Sequence, residues 1–267
     1  HVITYRAVHS RLAVAGSIML AVAVLAIALF GSAPVGVTGV QEVGALLASV
    51  MNLIVYLVPL LALVLGCGAI IDEKQRGTLD IILLSAVSPS AYVCGTFAGF
   101  AAALSIAITA GLGAASVVLV GRYDVAPFEC TVLIVFAILL GAAFLALAFL
   151  VSLLARERGR AIVCSVFVWL AAVFVFDLIL VGVLGASKGG VPLWLFAALL
   201  LMGPADLFRM GCFQWLGGTA TALGLSVWET YAASVPAVAV AAVAWIGGPI
   251  AATYALFRRR VRADSLA

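Results

Sequence analysis

Soft side chains in the C-terminal half of this sequence could bind a metal ion. Met202, Met210 and Cys212 bring two thioethers and a thiol into one short segment, and ligands of this kind suit Cu(I). No histidine accompanies them, because both histidines fall within the first ten residues. Methionine and cysteine also fill gaps between apolar side chains, so a copper site and simple packing are both open.

Three charged residues of the same half are further candidates. Asp206 and Arg209 are three positions apart, so on a helix they share one face and could pair. Asp177 lies within a long apolar stretch, and a carboxylate costs about 2.5–3.5 kcal/mol at the centre of a membrane. We therefore expect Asp177 to face protein or water, with Arg209 or Lys188 as its partner. A residue lining a pathway and a structural ion pair are both open readings of Asp177.

The polar break Asp72-Glu73-Lys74-Gln75-Arg76-Gly77-Thr78-Leu79 would bind another protein rather than react. We expect residues 72–76 to be solvated, and Gly77-Thr78 to provide a turn and an N-cap. A short apolar helix, Leu79–Leu84, would follow and end before Pro89. Such a helix, flanked by charges, suits a groove on a partner. An ordinary charged loop beside an interfacial helix is the alternative.

Two common catalytic motifs are missing from the sequence. It contains neither the phosphate-binding G-x-x-x-x-G-K-[ST] nor the zinc-binding H-E-x-x-H. We therefore expect a non-catalytic chain with no cofactor of its own.

The composition places all these residues in or beside a lipid bilayer. The 267-residue chain is 66% hydrophobic and only 9% charged, far from the usage of soluble domains. A bilayer solvates such an apolar surface directly. The net charge of +3 does not indicate nucleic acid, because the basic residues flank apolar stretches. We predict one integral membrane domain over residues 1–267.

Six apolar stretches are long enough to cross a membrane, which takes about 20 residues. They predict an all-α polytopic protein whose spans cover about 12–31, 44–71, 91–120, 128–154, 161–185 and 235–257. The first stretch exceeds the roughly 7–15 apolar residues of a secretory signal, so we predict a retained span. The sequence begins at His1, and we expect further residues before it.

The distribution of basic residues predicts that both termini are cytoplasmic. Of the 14 Lys and Arg residues, only Arg122, Lys188 and Arg209 fall on the opposite side. The cytoplasmic set is Arg6, Arg11, Lys74, Arg76, Arg156, Arg158, Arg160, Arg258, Arg259, Arg260 and Arg262. Between spans five and six, Val191–Gly203 is apolar but too short to cross, which predicts an extracytoplasmic half-helix. Pro204 suits the first position of a second half-helix.

The inner polar break resembles the coupling segment of type-2 exporter permeases, a family of ABC transporter membrane subunits. The resemblance is carried by Glu73, by Gly77-Thr78-Leu79 and by Leu83-Leu84-Ser85, placed after the second span. It implies a connecting helix in residues 1–11, a location in the cell inner membrane, a second copy of the chain as partner, and a cytoplasmic ATPase that would hold ATP and Mg. The implied coupling residues are Glu73, Arg76, Gly77, Thr78, Leu79 and Leu83, with Arg156, Arg158 and Arg160 as a second cytoplasmic contact. We expect the motion to pass through spans two and three.

A narrower resemblance is to the permeases of this family that support maturation of the copper sites of nitrous oxide reductase in denitrification. It is carried by Val175-Phe176-Asp177-Leu178-Ile179-Leu180 and Pro204-Ala205-Asp206-Leu207-Phe208-Arg209, and less by Phe257-Arg258-Arg259-Arg260. It implies a periplasmic copper-chaperone-like partner of the NosD type and places Asp177, Asp206 and Arg209 at the outer face. One departure is Gly203, where an asparagine is common. A general exporter of lipid, peptide or drug, and a channel or secondary carrier without an ATPase, are the alternatives.

Overall fold

A computed structural model describes residues 14–27, 39–75, 77, 89–187, 192–216 and 235–264, and within these ranges the chain forms helices and turns without a strand. The helices are α1 Val14–Ile27, α2 Gly39–Gly66, α3 Ile71–Gln75, α4 Pro89–Tyr123, α5 Pro127–Leu154, α6 Arg158–Leu170, α7 Phe176–Ala186, α8 Leu193–Leu201, α9 Pro204–Leu216 and α10 Val235–Asp264. A π-helical turn, Ala171–Val175, joins α6 to α7. These three segments together form span five.

Five of the described helical segments are long and apolar enough to cross a bilayer, and a sixth is added if the bent pair of α8 and α9 counts as one span. The five segments are Leu46–Gln75, Pro89–Tyr123, Pro127–Leu154, Arg158–Ala186 and Val235–Arg259. They overlap the predicted spans two to six, and α1 lies within the predicted first span. The all-α polytopic architecture predicted from the sequence is confirmed.

Helix α5 is the centre of the bundle, where it packs against α2, α4, α9 and α10. A helix that is apolar on every side is buried, and Phe144 on α5 is fully buried. Gly141 allows the close approach of the neighbouring helices. A Cβ at Gly141 would lie 3.0–3.2 Å from the side chains of Leu104, Ile108 and Val58, so α2, α4 and α5 pack tightly at this point.

Span five and α10 lie at the periphery of the described bundle, since few of their side chains are buried. Phe167 and Leu178 on span five are 68% and 70% exposed. Large apolar side chains at such positions suit contact with lipid chains or with another subunit. Within Arg158–Ala186 only Ala161, Ser165, Val173 and Leu180 are buried.

The two ends of the bundle differ in structure. At one end, which we name the hinge end because it contains residues 67–77 (the hinge), α2 stops, α3 follows and α4 begins. The C-terminal end of α10 is also here, because Phe257 stacks on Tyr92 near the start of α4 at 5.6 Å between ring centroids. At the bend end, α8 and α9 meet at 113°. As predicted, α9 begins at Pro204.

The bend between α8 and α9 needs a glycine. A Cβ at Gly203 would lie 2.5 Å from the ring of Phe176 and 2.8 Å from Oδ2 of Asp206, closer than real Cβ contacts. A side chain at position 203 would therefore not fit without a shift of Phe176.

Candidate functional site

The candidate site begins at the hinge end, where α5 fixes the break after α2. The backbone amides of Ile70 and Ile71 both donate to Oγ of Ser152, at 2.9 and 3.1 Å. These amides lie in the break between α2 and α3, where a buried N–H without an acceptor would be costly. Ser152 is itself buried, so its hydroxyl holds the break in place from within the core.

An ion pair fixes the same segment to span five. Nη1 of Arg158 donates to Oδ2 of Asp72 at 3.0 Å. Asp72 is only 8% exposed, so the expectation that Asp72 is solvated is wrong: α3 turns its carboxylate inward, under Arg158. The Arg158 side chain is 53% exposed and thus belongs both to the ion pair and to the surface.

The hinge ends at Gly77, where the sequence predicts a turn. Its φ of +68° lies in the left-handed region that favours glycine, and its amide donates to the carbonyl of Lys74 at 3.2 Å. Glu73 is partly buried, while Lys74 is exposed. The other predicted coupling residues, Arg76, Thr78, Leu79 and Leu83, lie outside the described residues.

The polar break and the arginines at the start of span five lie next to each other. Arg156 and Arg160 are exposed beside the start of α6, and Arg158 between them reaches Asp72 on α3. The hinge and the start of span five are therefore joined, although the sequence presents them as two separate polar segments.

A second contact joins span five to α2 near the middle of both spans. Nε1 of Trp169 donates to the backbone carbonyl of Tyr56 at 3.1 Å. Phe174, in the π-helical turn, stacks on Tyr56 at 5.3 Å and meets Trp169 edge-on at 5.2 Å. A buried indole N–H needs such a partner, and a backbone carbonyl provides it here.

Sequence reasoning missed this aromatic contact. One signal was present, because tryptophan is enriched at membrane interfaces and Trp169 lies well inside its span. A second signal was Pro59 within α2, since a proline removes one helical hydrogen bond and disturbs the carbonyls of the preceding turn.

The third contact lies at the bend end and uses the predicted charged residues. Nη1 of Arg209 donates to Oδ2 of Asp177 at 3.0 Å and to Oδ1 of Asp206 at 2.9 Å. Arg209 is therefore the partner of Asp177, while Lys188, the other candidate, lies outside the described residues. Asp206 is 2% exposed, and its Oδ2 has no hydrogen-bond partner among the described residues.

The predicted soft ligands do not converge. Met202 is 63% exposed at the bend. Met210 packs with Leu180 and Leu200 in a small cluster, whereas Cys212 belongs to the main core. All five cysteines are free, and the described residues include no group of three or more His, Cys, Asp or Glu side chains arranged to hold a metal.

One segment fits a catalytic spacing without its structural context. Gly185-Ala186-Ser187-Lys188-Gly189 has the G-x-S-x-G spacing of hydrolase nucleophiles, which requires a strand before the serine. Here helix α7 precedes Ser187, and its Oγ donates to the carbonyl of Leu184 at 3.1 Å. Ser187 is therefore a residue of a helix end.

Comparison with known proteins agrees with this architecture. Residues 10–261 match the model of the ABC-2 family transporter proteins. Two relatives are each named probable ABC transporter permease protein NosY. The one from Stutzerimonas stutzeri is 32% identical over 253 residues, which cover 92% of this chain and 91% of that protein. The one from Pseudomonas aeruginosa is 32% identical over 251 residues, covering 91% and 90%.

Proposed function

The chain belongs to the ABC-2 family of transporter proteins, and on that premise we propose that it couples a separate cytoplasmic ATPase to a change at the opposite face of the membrane. As an ABC transporter permease it is a multi-pass membrane subunit. ATP and Mg would be bound, and ATP hydrolysed, in the partner. This chain would receive the motion through the segment that follows Gly77.

The fixed hinge is the observation that carries this proposal. Ser152 holds two backbone amides of the hinge, and Arg158 holds its only buried carboxylate, that of Asp72. The described residues of the hinge are therefore firmly attached to the bundle. A firmly attached segment passes a displacement on to the helices, whereas a loosely held one would absorb it.

The position of the basic residues supports a cytoplasmic hinge end. Lys74, Arg156 and Arg160 are exposed there, and so are Arg258 and Arg259 at the end of α10. An excess of basic residues at one membrane face is typical of the cytoplasmic side. With this orientation both termini are cytoplasmic, and α8 and α9 lie at the extracytoplasmic face of the inner membrane.

We also propose a second copy of the chain as partner. The apolar residues exposed on span five and α10 are compatible with a subunit contact within the bilayer. Each copy would then bind one ATPase subunit.

The proposed role of the transporter is assembly of the copper sites of nitrous oxide reductase. The similarity to proteins named NosY supports this role. A periplasmic copper-chaperone-like protein would dock near the bend. Because Met202, Met210 and Cys212 do not converge, we favour a conformational signal to that partner over copper ligation by this chain.

Copurification with the ATPase tests the proposed function. Replacing Leu79 and Leu83 by Asp should abolish association, because charged side chains cannot enter an apolar groove. The matched variant with Ile at both positions should keep it. Normal association and ATP-driven turnover in the Asp variant would contradict the proposal. So would solute flux that an ion gradient drives through the purified chain without nucleotide, which would favour a channel or carrier.

A further inference from the structure

We propose that one face of span five, positioned by Arg158 and Trp169, transmits the motion of the hinge to the bend between α8 and α9. The inference rests on the proposed function and deepens it, since it names the route. It also replaces the expectation that spans two and three carry the motion.

The three contacts of span five lie on a single face. In a uniform α-helix, at about 100° per residue, Trp169 falls within about 20° of Arg158, but Asp177 falls about 100° away from it. The π-helical turn Ala171–Val175 absorbs about one extra residue. It therefore rotates Asp177 back onto the face of Arg158 and Trp169.

Each contact on this face attaches span five to a different part of the molecule. Arg158 binds Asp72 in the hinge, Trp169 binds the carbonyl of Tyr56 in α2, and Asp177 binds Arg209 in α9. Arg158 and Asp177 are separated by about 28 Å along the helix, at about 1.5 Å per residue. One rigid element thus joins the hinge to the bend.

Within one copy of the chain, span five can move at low cost. Most of its side chains are exposed, so a tilt disrupts little apolar packing within the chain. The aromatic contact of Trp169 and Phe174 with Tyr56 lies between the two ionic contacts and would act as the pivot. A displacement of Asp72 would then move Arg158 at one end and Asp177, with Arg209, at the other.

The bend is built to respond to such a displacement. Arg209 is shared by carboxylates on α7 and α9, and Gly203 lies against the ring of Phe176, the neighbour of Asp177. A shift of α7 therefore acts on α9 through the ion pair of Asp177 with Arg209. It acts on the bend through the contact of Phe176 with Gly203.

The test measures the accessibility of the bend to a labelling reagent. It uses the complex assembled with its ATPase in lipid vesicles. A cysteine at Met202, which is 63% exposed, reports the bend in a chain whose exposed Cys94 and Cys164 are replaced by serine. The rate of labelling by a membrane-impermeant maleimide is compared with and without ATP trapped by vanadate. ATPase association and hydrolysis are measured on the same samples.

In the wild-type background we expect a nucleotide-dependent difference in labelling rate. Trp169→Leu should keep ATPase association but reduce that difference by about fivefold or more, the scale of a typical coupling between sites. Arg158→Gln should reduce the difference to the same extent when samples with equal amounts of bound ATPase are compared, since Arg158 is also a predicted ATPase contact. The exchanged pair Asp72→Arg with Arg158→Asp should restore the difference to within about twofold. Arg122→Gln, an exposed arginine at the bend end of α4, should leave it unchanged.

The outcomes separate the inference from the function on which it rests. If the wild-type complex responds to nucleotide and Arg158→Gln and Trp169→Leu respond equally, the route through span five is wrong while the proposed function stands. If the exchanged pair fails to restore the response lost in Arg158→Gln, the ion pair is not the connection and the route is also wrong. If the wild-type complex neither binds the ATPase nor responds, the proposed function and the inference both fail.

Discussion

Asp72 and Arg158 are 86 residues apart in the sequence, and their side chains meet at 3.0 Å. This ion pair joins the hinge after α2 to the first turn of span five. The ion pair brings together two polar segments of the chain. By family resemblance, each of these segments would contact an ATPase. Residues that would receive the motion are thereby linked directly to a helix that crosses the membrane.

The two partners of this pair should differ in their effect on stability. Asp72→Asn leaves Arg158 half-exposed and solvated, so we expect a loss of about 1 kcal/mol or less. Arg158→Gln leaves a buried carboxylate unpaired, and we expect a loss of about 2 kcal/mol or more. Thermal unfolding in detergent should therefore rank the Tm values as wild type, Asp72→Asn, Arg158→Gln. The reverse order of the two variants would show that the burial of Asp72 has no energetic consequence.

Ser152→Ala should weaken the hinge more than the loss of one hydroxyl suggests. The substitution leaves the amides of Ile70 and Ile71 without their acceptor, and each buried unsatisfied group costs about 1–3 kcal/mol. Hydrogen exchange at these two amides should accelerate together with a fall in Tm. Ser187→Ala is the matched control, because Ser187 makes only a local bond at the end of α7 and its removal should change Tm little. Unchanged exchange at residues 70 and 71 would refute the role of Ser152.

Gly203→Ala should destabilise the bend. The new methyl group would press on Phe176 and Asp206, and overpacking of this kind costs about 1–3 kcal/mol. Gly182→Ala is the control on α7, where a Cβ meets nothing within 4 Å, and it should be neutral or slightly stabilising because alanine favours a helix. A second substitution, Phe176→Leu, should recover part of the loss at Gly203. Equal stability of the two alanine variants would contradict the packing at the bend.

Arg209 should matter more than Asp177 for the integrity of the bend end. Arg209→Gln leaves two carboxylates without a counter-charge, one of them on the buried Asp206. Asp177→Asn keeps the pair of Asp206 with Arg209. We expect Arg209→Gln to lower Tm by several degrees and Asp177→Asn to change it little, while both disturb the response at the bend. A larger loss of stability in Asp177→Asn than in Arg209→Gln would contradict the greater importance of Arg209.

The sequence predicted the long apolar helices, the half-helices and the pairing of Asp206 with Arg209 because each depends on local information, whereas for Asp177 it left Arg209 and Lys188 as alternatives. The length of the apolar stretches sets the spans, Pro204 sets the start of α9, and the spacing of three brings Asp206 to Arg209. The burial of Asp72 could not be predicted, because its partner lies on a distant helix. The π-helical turn and the bond from Trp169 to Tyr56 were also missed, since both depend on how span five packs against α2.

Photo-crosslinking from the hinge tests the central claim most directly. A photoreactive amino acid at position 74, where Lys74 is exposed, should capture the ATPase subunit in the assembled complex. The same group at position 202, at the bend end, should not. Capture of the ATPase from position 202, or its absence from position 74 in a complex that still hydrolyses ATP, would contradict the account.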